Sequence, residues 1–255
     1  MKFKFGFWLF SLCAALFASA ADEYVGGPIG TIPVAGTGKR TIVAVAFKEM
    51  GATASDVSVS NILSTVNLAA GDAVFVYKNE AFQAWTLTEG SGVSGTYLYW
   101  EKTKANYTVG ASGVSEQPGI SADAMQLGLG EGFWLVRNNS DTSKPFYLIG
   151  QYVEPTLAKT AAPGAKTLLG NPTMKEQTIS TTGSVEGDTI SLIKGDGKLS
   201  VNYKYGTDYQ GKTGWMKQQM IDGYIVKVVV DIPLQIGQGF WYNSTGSGEV
   251  SFTWK

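Results

Sequence analysis

Gly130-Glu131-Gly132-Phe133-Trp134 and Gly237-Gln238-Gly239-Phe240-Trp241 are two copies of one pentapeptide, G-x-G-F-W, spaced 107 residues apart. On a strand, successive side chains point to opposite faces. Phe133 and Leu135 then face one way, and Trp134 and Val136 the other. In the second copy Phe240 and Tyr242 share a face, with Trp241 opposite. Large apolar groups on both sides predict strands covered on both faces, one by the local core and the other by a twin strand. The glycines Gly130, Gly132, Gly237 and Gly239 admit a bulge or a close backbone approach before each aromatic pair. The motif therefore reads as architecture.

Working outward, two further landmarks recur in the same order. Gly71-Asp72 precedes an apolar run from Val74 to Tyr77, a turn at Asn79-Glu80 and a return from Phe82 to Leu87. Gly187-Asp188 precedes Ile190 to Ile193, a turn at Gly195-Asp196-Gly197 and a return from Leu199 to Tyr205. Trp100 and Trp215 then occupy matching places. Three anchors in one order predict an internal duplication. Residues 40–152 form the first repeat and 166–255 the second, joined by a connector at 153–165. The first repeat carries an insert around 107–120. Each repeat is expected to close with a hairpin, Phe133–Arg137 with Phe146–Gln151 and Phe240–Tyr242 with Val250–Trp254. The expected fold class is mainly β. Each half is a small β-sandwich or partly open barrel, the halves are pseudo-twofold related, and one short helix lies within Ser55–Leu68.

The ends speak to location. Lys2 and Lys4 precede an apolar run from Phe5 to Phe17, and Ala18-Ser19-Ala20 forms an A-x-A cleavage site. Residues 1–20 read as a signal peptide, too short for the ~20 apolar residues of a membrane anchor. The mature chain is then exported to the periplasm, the outer surface or the extracellular space, with no transmembrane anchor. Residues 21–39 are rich in Gly and Pro and read as an N-terminal arm, free to pair with a neighbour by β-augmentation. Removing Lys2 and Lys4 leaves 18 basic against 21 acidic residues, a net charge of −3. That mild balance predicts no nucleic-acid partner.

The residue types missing from the chain bound its chemistry. There is no histidine, and the one cysteine, Cys13, lies in the signal segment. Ser-His-Asp and Cys-His catalysis and His- or thiolate-ligated metals are therefore excluded from the mature chain. The expectation is no catalytic residue, no metal and no cofactor. Two carboxylates could still hydrolyse a glycan. Glu131, however, is matched by Gln238, which cannot ionise. The repeated acids Asp72 and Asp188 each follow a glycine and read as turn caps. Tyr97, Tyr99, Trp100, Tyr209 and Trp215 are candidate ligand-binding aromatics, because Trp and Tyr faces stack on sugar rings and enrich interfaces.

The Gly-Asp hairpins, mid-repeat tryptophans, G-x-G-F-W copies and the Leu169-Gly170-Asn171-Pro172 opening, behind a signal peptide, resemble a group of uncharacterised exported bacterial proteins built of two β-rich halves. The resemblance spans residues 40–255 and implies export and duplication, with no activity attached. The functional expectation is a non-catalytic structural or binding protein of the cell envelope or extracellular space. Its partners would be a second copy, another envelope protein or a glycan. The alternatives are a carbohydrate-binding module and a carboxylate-dependent glycan hydrolase.

Overall fold

The computed structural model describes residues 29–34, 39–49, 56–78, 80–93, 95–102, 125–152, 158–193 and 200–254. The signal segment, the insert around 107–120 and the Gly195-Asp196-Gly197 turn lie outside the described residues. The chain is mainly β, built of several antiparallel sheets, with no closed barrel among the described residues.

The first stretch runs β1 (Ile29–Val34), β2 (Arg40–Ala44), β3 (Asp56–Ser58), α1 (Val59–Ile62), β4 (Ala73–Lys78), β5 (Ala81–Gly92), β6 (Gly95–Lys102), β7 (Gln126–Gly128), β8 (Gly132–Val136) and β9 (Phe146–Gln151). The second runs β10 (Ala158–Ala161), β11 (Lys166–Gly170), β12 (Gln177–Thr182), β13 (Thr189–Ile193), β14 (Ser200–Thr207), β15 (Thr213–Ile221), β16 (Tyr224–Val229), β17 (Pro233–Leu234), β18 (Gly239–Asn243) and β19 (Val250–Trp254). The large sheet of the first stretch has the order β2-β8-β4-β5-β6, and that of the second β11-β18-β13-β14-β15-β16. Smaller ladders follow a common order too. β1 pairs with β9 and β10 with β19, while β3 pairs with β7 and β12 with β17.

Alternation of apolar and polar side chains places a core between each large sheet and its smaller ladders. In the first, Val74, Trp85, Phe133 and Leu135 pack with Val57, Leu127, Phe146 and Leu148. In the second, Ile190, Tyr203, Phe240 and Tyr242 pack with Ile179, Leu234 and Phe252. Phe252 lies edge-on to Tyr242 at 4.8 Å between ring centroids and tilted against Phe240 at 5.6 Å. Each fully buried side chain of this size contributes roughly 1.5–3 kcal/mol.

Four features differ from the sequence-based expectations. The helix within Ser55–Leu68 is a single turn, α1. Leu63 leaves helical geometry at φ −90°, ψ 103° and bridges Leu148 of β9, so a tertiary strand contact overrides weak local helical periodicity. The arm at 21–39 is not wholly free, because Ile29–Val34 forms β1 and pairs with β9 of its own chain. Part of the connector at 153–165 is strand, since β10 pairs with β19. The closing hairpins are arches between layers: β8 pairs with β2 and β4, whereas β9 pairs with β1. Likewise β18 pairs with β11 and β13, while β19 pairs with β10 and β12.

The two stretches join through reciprocal contacts. The Ala44 N–H donates to the Gly237 carbonyl at 2.9 Å, and the Gly170 N–H donates to the Gly130 carbonyl at 2.9 Å. Val43 bridges Gln238, and Leu169 bridges Glu131. Gly130 and Gly237 have φ of +78° and +70°, which favours glycine. Gly239 is needed for space: a Cβ there would stand 2.5 Å from Ile42 Cγ2 and 3.1 Å from the Leu169 carbonyl.

Candidate functional site

Strand alternation buries Phe133 and Phe240 in the two cores and turns Trp134 and Trp241 to the opposite faces, where both are half-buried. The register flanks Trp134 with Ile42 and Phe75, and Trp241 with Leu168 and Ser191. These two outer faces meet at the seam. Trp241 stacks on Phe82 of β5, with centroids 5.9 Å apart and planes 18° apart, and packs edge-on to Tyr77 at 5.0 Å. Tyr77 and Phe82 are 4.9 Å apart. Phe82 remains 46% exposed.

Two hollows open on this aromatic seam and share Phe82 and Trp134. One, of about 490 Å³, adds Arg40, Phe75, Val136 and Asn138. The other, of about 270 Å³, adds Ile42, Ser191, Ile193 and Trp241. Carbon lines most of the cleft, and Arg40, Asn138 and Ser191 supply polar groups. Asn138 is held in place because its Nδ2 donates to the Gly71 carbonyl at 3.0 Å. Such a cleft can stack flat groups on ring faces and hydrogen-bond at its rim.

The conspicuous acids serve the backbone. Asp72 is fully buried and accepts from the N–H groups of Ala69 and Asn139, each at 3.0 Å. Asp188, equally buried, accepts from the Val185 N–H at 3.1 Å, the Thr245 N–H at 2.7 Å and the Tyr242 hydroxyl at 2.7 Å. Burial alone would raise the Asp188 pKa, but these donors outweigh it and hold the carboxyl below its usual range. Burial, with Asp188 as its acceptor, pushes the Tyr242 phenol up, so it stays a donor. Arg137 is buried beside Asp72, with bonds to the Lys144, Asn67 and Asp141 carbonyls. Desolvation lowers its pKa, against the pull of Asp72 and Asp141.

Glu131 and Gln238 perform one task. Glu131 Oε2 accepts from the Gly128 N–H at 2.9 Å, and Gln238 Oε1 accepts from the Gln235 N–H at 3.0 Å. Both close a four-residue turn that needs an oxygen and no charge, which accounts for the mismatch between the copies.

The five candidate aromatics scatter. Tyr97 is 54% exposed and lies over Gly90, with the half-buried Tyr99 ring 5.8 Å away. Trp100 is half-buried and packs against the first core. Trp215 is buried, and its indole N–H donates to Thr181 Oγ1 at 3.1 Å, so it offers no open face to a ligand. Tyr209 is exposed on a turn anchored by Asp208, which accepts from the N–H groups of Gln210 and Lys212. Only Tyr97 and Tyr99 share a sheet face with Trp134. The cleft residues Phe82, Trp134 and Trp241 were signalled in sequence only by two tryptophans standing opposite core phenylalanines. Among the described residues no group of three or more His, Cys, Asp or Glu side chains could hold a metal ion, and no helix is long and apolar enough to cross a membrane. No family model matches the chain, and no curated protein and no solved structure matches it either.

Proposed function

We propose that the mature protein is exported and non-catalytic, and that it binds its ligand in the aromatic cleft where the two halves meet. The halves are read as two copies of one unit about a local twofold axis. Their shared strand order and reciprocal seam contacts support that reading. Export rests on the signal-like residues 1–20, and the setting is the cell envelope or extracellular space.

One observation carries the binding reading. Trp134 and Trp241, at matching places of a repeated motif, are both only half-buried and line one cleft with Phe82. Folding alone favours burying such rings, by roughly 1.5–3 kcal/mol each. The ligand class that fits is a saccharide. Its C–H face stacks on the rings, and its hydroxyls reach Arg40, Asn138 and Ser191. The hydrolase alternative draws no support from Asp72, Asp188 or Glu131, whose oxygens serve backbone donors.

The test is a titration of the mature chain with a panel of soluble polysaccharides, followed by tryptophan emission and calorimetry. At least one glycan should bind, and Trp134→Ala should abolish that binding while leaving the melting temperature within a few degrees. A panel without any response, or one bound equally by Trp134→Ala, overturns the proposal.

A further inference from the structure

The second large sheet splits along one edge. The β14–β15 ladder runs from Thr207–Thr213 to Lys204–Met216 and stops there. Beyond that point β15 continues to Ile221, paired with β16. β14 extends the other way to Ser200, paired with β13. A gap of about 620 Å³ opens where they part. Val201 and Tyr203, from the core-side face, line it together with Asn202, Lys204 and Gln218 from the outer face. With the β14–β15 ladder ended at Lys204–Met216, the gap lies between two strand edges.

Strand edges present backbone donors and acceptors to an incoming chain. The side chains around the gap give that chain a pattern. Lys204 and Lys227 stand on the outer face, Lys217 lines the gap from the core-side face, and no acid is among the described lining residues. Val201, Tyr203 and, farther along β15, Ile221 mark the other face. The β15–β16 tip is apolar. Asp222 and Gly223 form a two-residue turn with φ of +49° and +82°. Around it Met220 is 74%, Tyr224 75% and Ile225 68% exposed. A second copy using the same edge would bring two sets of three lysines together, which disfavours self-pairing.

We propose that the gap is a strand-acceptor site for an extended segment of a partner protein with alternating acidic and apolar side chains. The segment lies along β15 from Lys217 to Ile221 and extends the sheet by main-chain hydrogen bonds. Its period of two sends carboxylates to Lys204 and Lys227, and apolar groups to Val201, Tyr203 and Ile221. This site is separate from the aromatic cleft.

The test uses the mature chain and two capped eight-residue peptides, one alternating Val and Glu, the other Val and Lys. Fluorescence anisotropy measures affinity at low and high salt, and amide exchange maps the contact. The Val/Glu peptide should bind, weaken with salt and slow exchange at Gln218 and Met220, whose N–H groups face the gap. The Lys204→Glu/Lys227→Glu variant should bind it at least tenfold more weakly and take up the Val/Lys peptide instead. Trp134→Ala should leave this binding unchanged, which separates it from the cleft. Equal binding of both peptides, absence of protection at Gln218 and Met220, or a dimer that protects those amides without peptide overturns the proposal.

Discussion

The Tyr242 hydroxyl donates to Asp188 Oδ2 at 2.7 Å, and both side chains are buried. The bond ties the strand after the second G-x-G turn to the loop that opens the β13–β14 hairpin. Thr245 and Val185 complete the carboxylate's partners, so the folded state favours its charged form. A lowered pKa means that the contribution is present above the ordinary carboxyl value of about 3.9 and disappears as pH falls below it. Asp188→Asn should destabilise the fold by about 2–3 kcal/mol at neutral pH. Thermal melts between pH 3 and pH 7 should show the wild type losing this advantage below about pH 4, with a flatter acid limb for the variant.

The seam tolerates no added methyl at Gly239, where Ile42 and the Leu169 carbonyl already crowd the site. Gly239→Ala should cost at least about 2 kcal/mol by overpacking. A methyl added at Gly248 would meet no atom within 4 Å, and the backbone there is not left-handed, so Gly248→Ala should stay within about 0.5 kcal/mol. Urea melts of the pair check the contrast, and equal midpoints would remove the seam from the stability argument.

Glu131 caps a turn through one oxygen. Glu131→Gln should leave stability within about 0.5 kcal/mol, whereas Glu131→Ala should cost about 1 kcal/mol. Chemical denaturation of both variants tests this, and a large loss in the Gln variant would point to a role for the charge.

Trp215 lies inside the second core and donates to Thr181. Trp215→Phe should lose about 1 kcal/mol through that bond. Glycan binding measured by calorimetry should remain, while Trp134→Ala should lose it. The opposite ranking would move the ligand site to the second half's core face.

Much of the layout is legible in the sequence because it is local. Gly71-Asp72 and Gly187-Asp188 announce their hairpins, and both glycines have φ near +100°, at +94° and +105°. The arches are not local. Asp72 takes the Asn139 N–H from 67 residues away and turns the chain after β8 toward the other layer, so a strand–turn–strand pattern there looks like a hairpin. Arg40-Thr-Ile-Val-Ala and Lys166-Thr-Leu-Leu-Gly each fill the edge strand beside a G-x-G-F-W strand, yet conservative exchanges hide them from a search for repeated words. Asp222-Gly223 between apolar pairs is a hairpin signal, but β16 has no described counterpart in the first half. The aromatic cleft is the least legible feature. Phe82 and Trp241 are 159 positions apart, and neither carries a local mark of the other.

The exchange of hydrogen bonds between Ala44 and Gly237, and between Gly170 and Gly130, sets what a severed chain would do. Either fragment alone would leave main-chain partners and greasy strand faces without cover. A cut between β9 and β10 should therefore yield a nicked protein that stays assembled. Fragments produced apart should regain the native spectrum only on mixing.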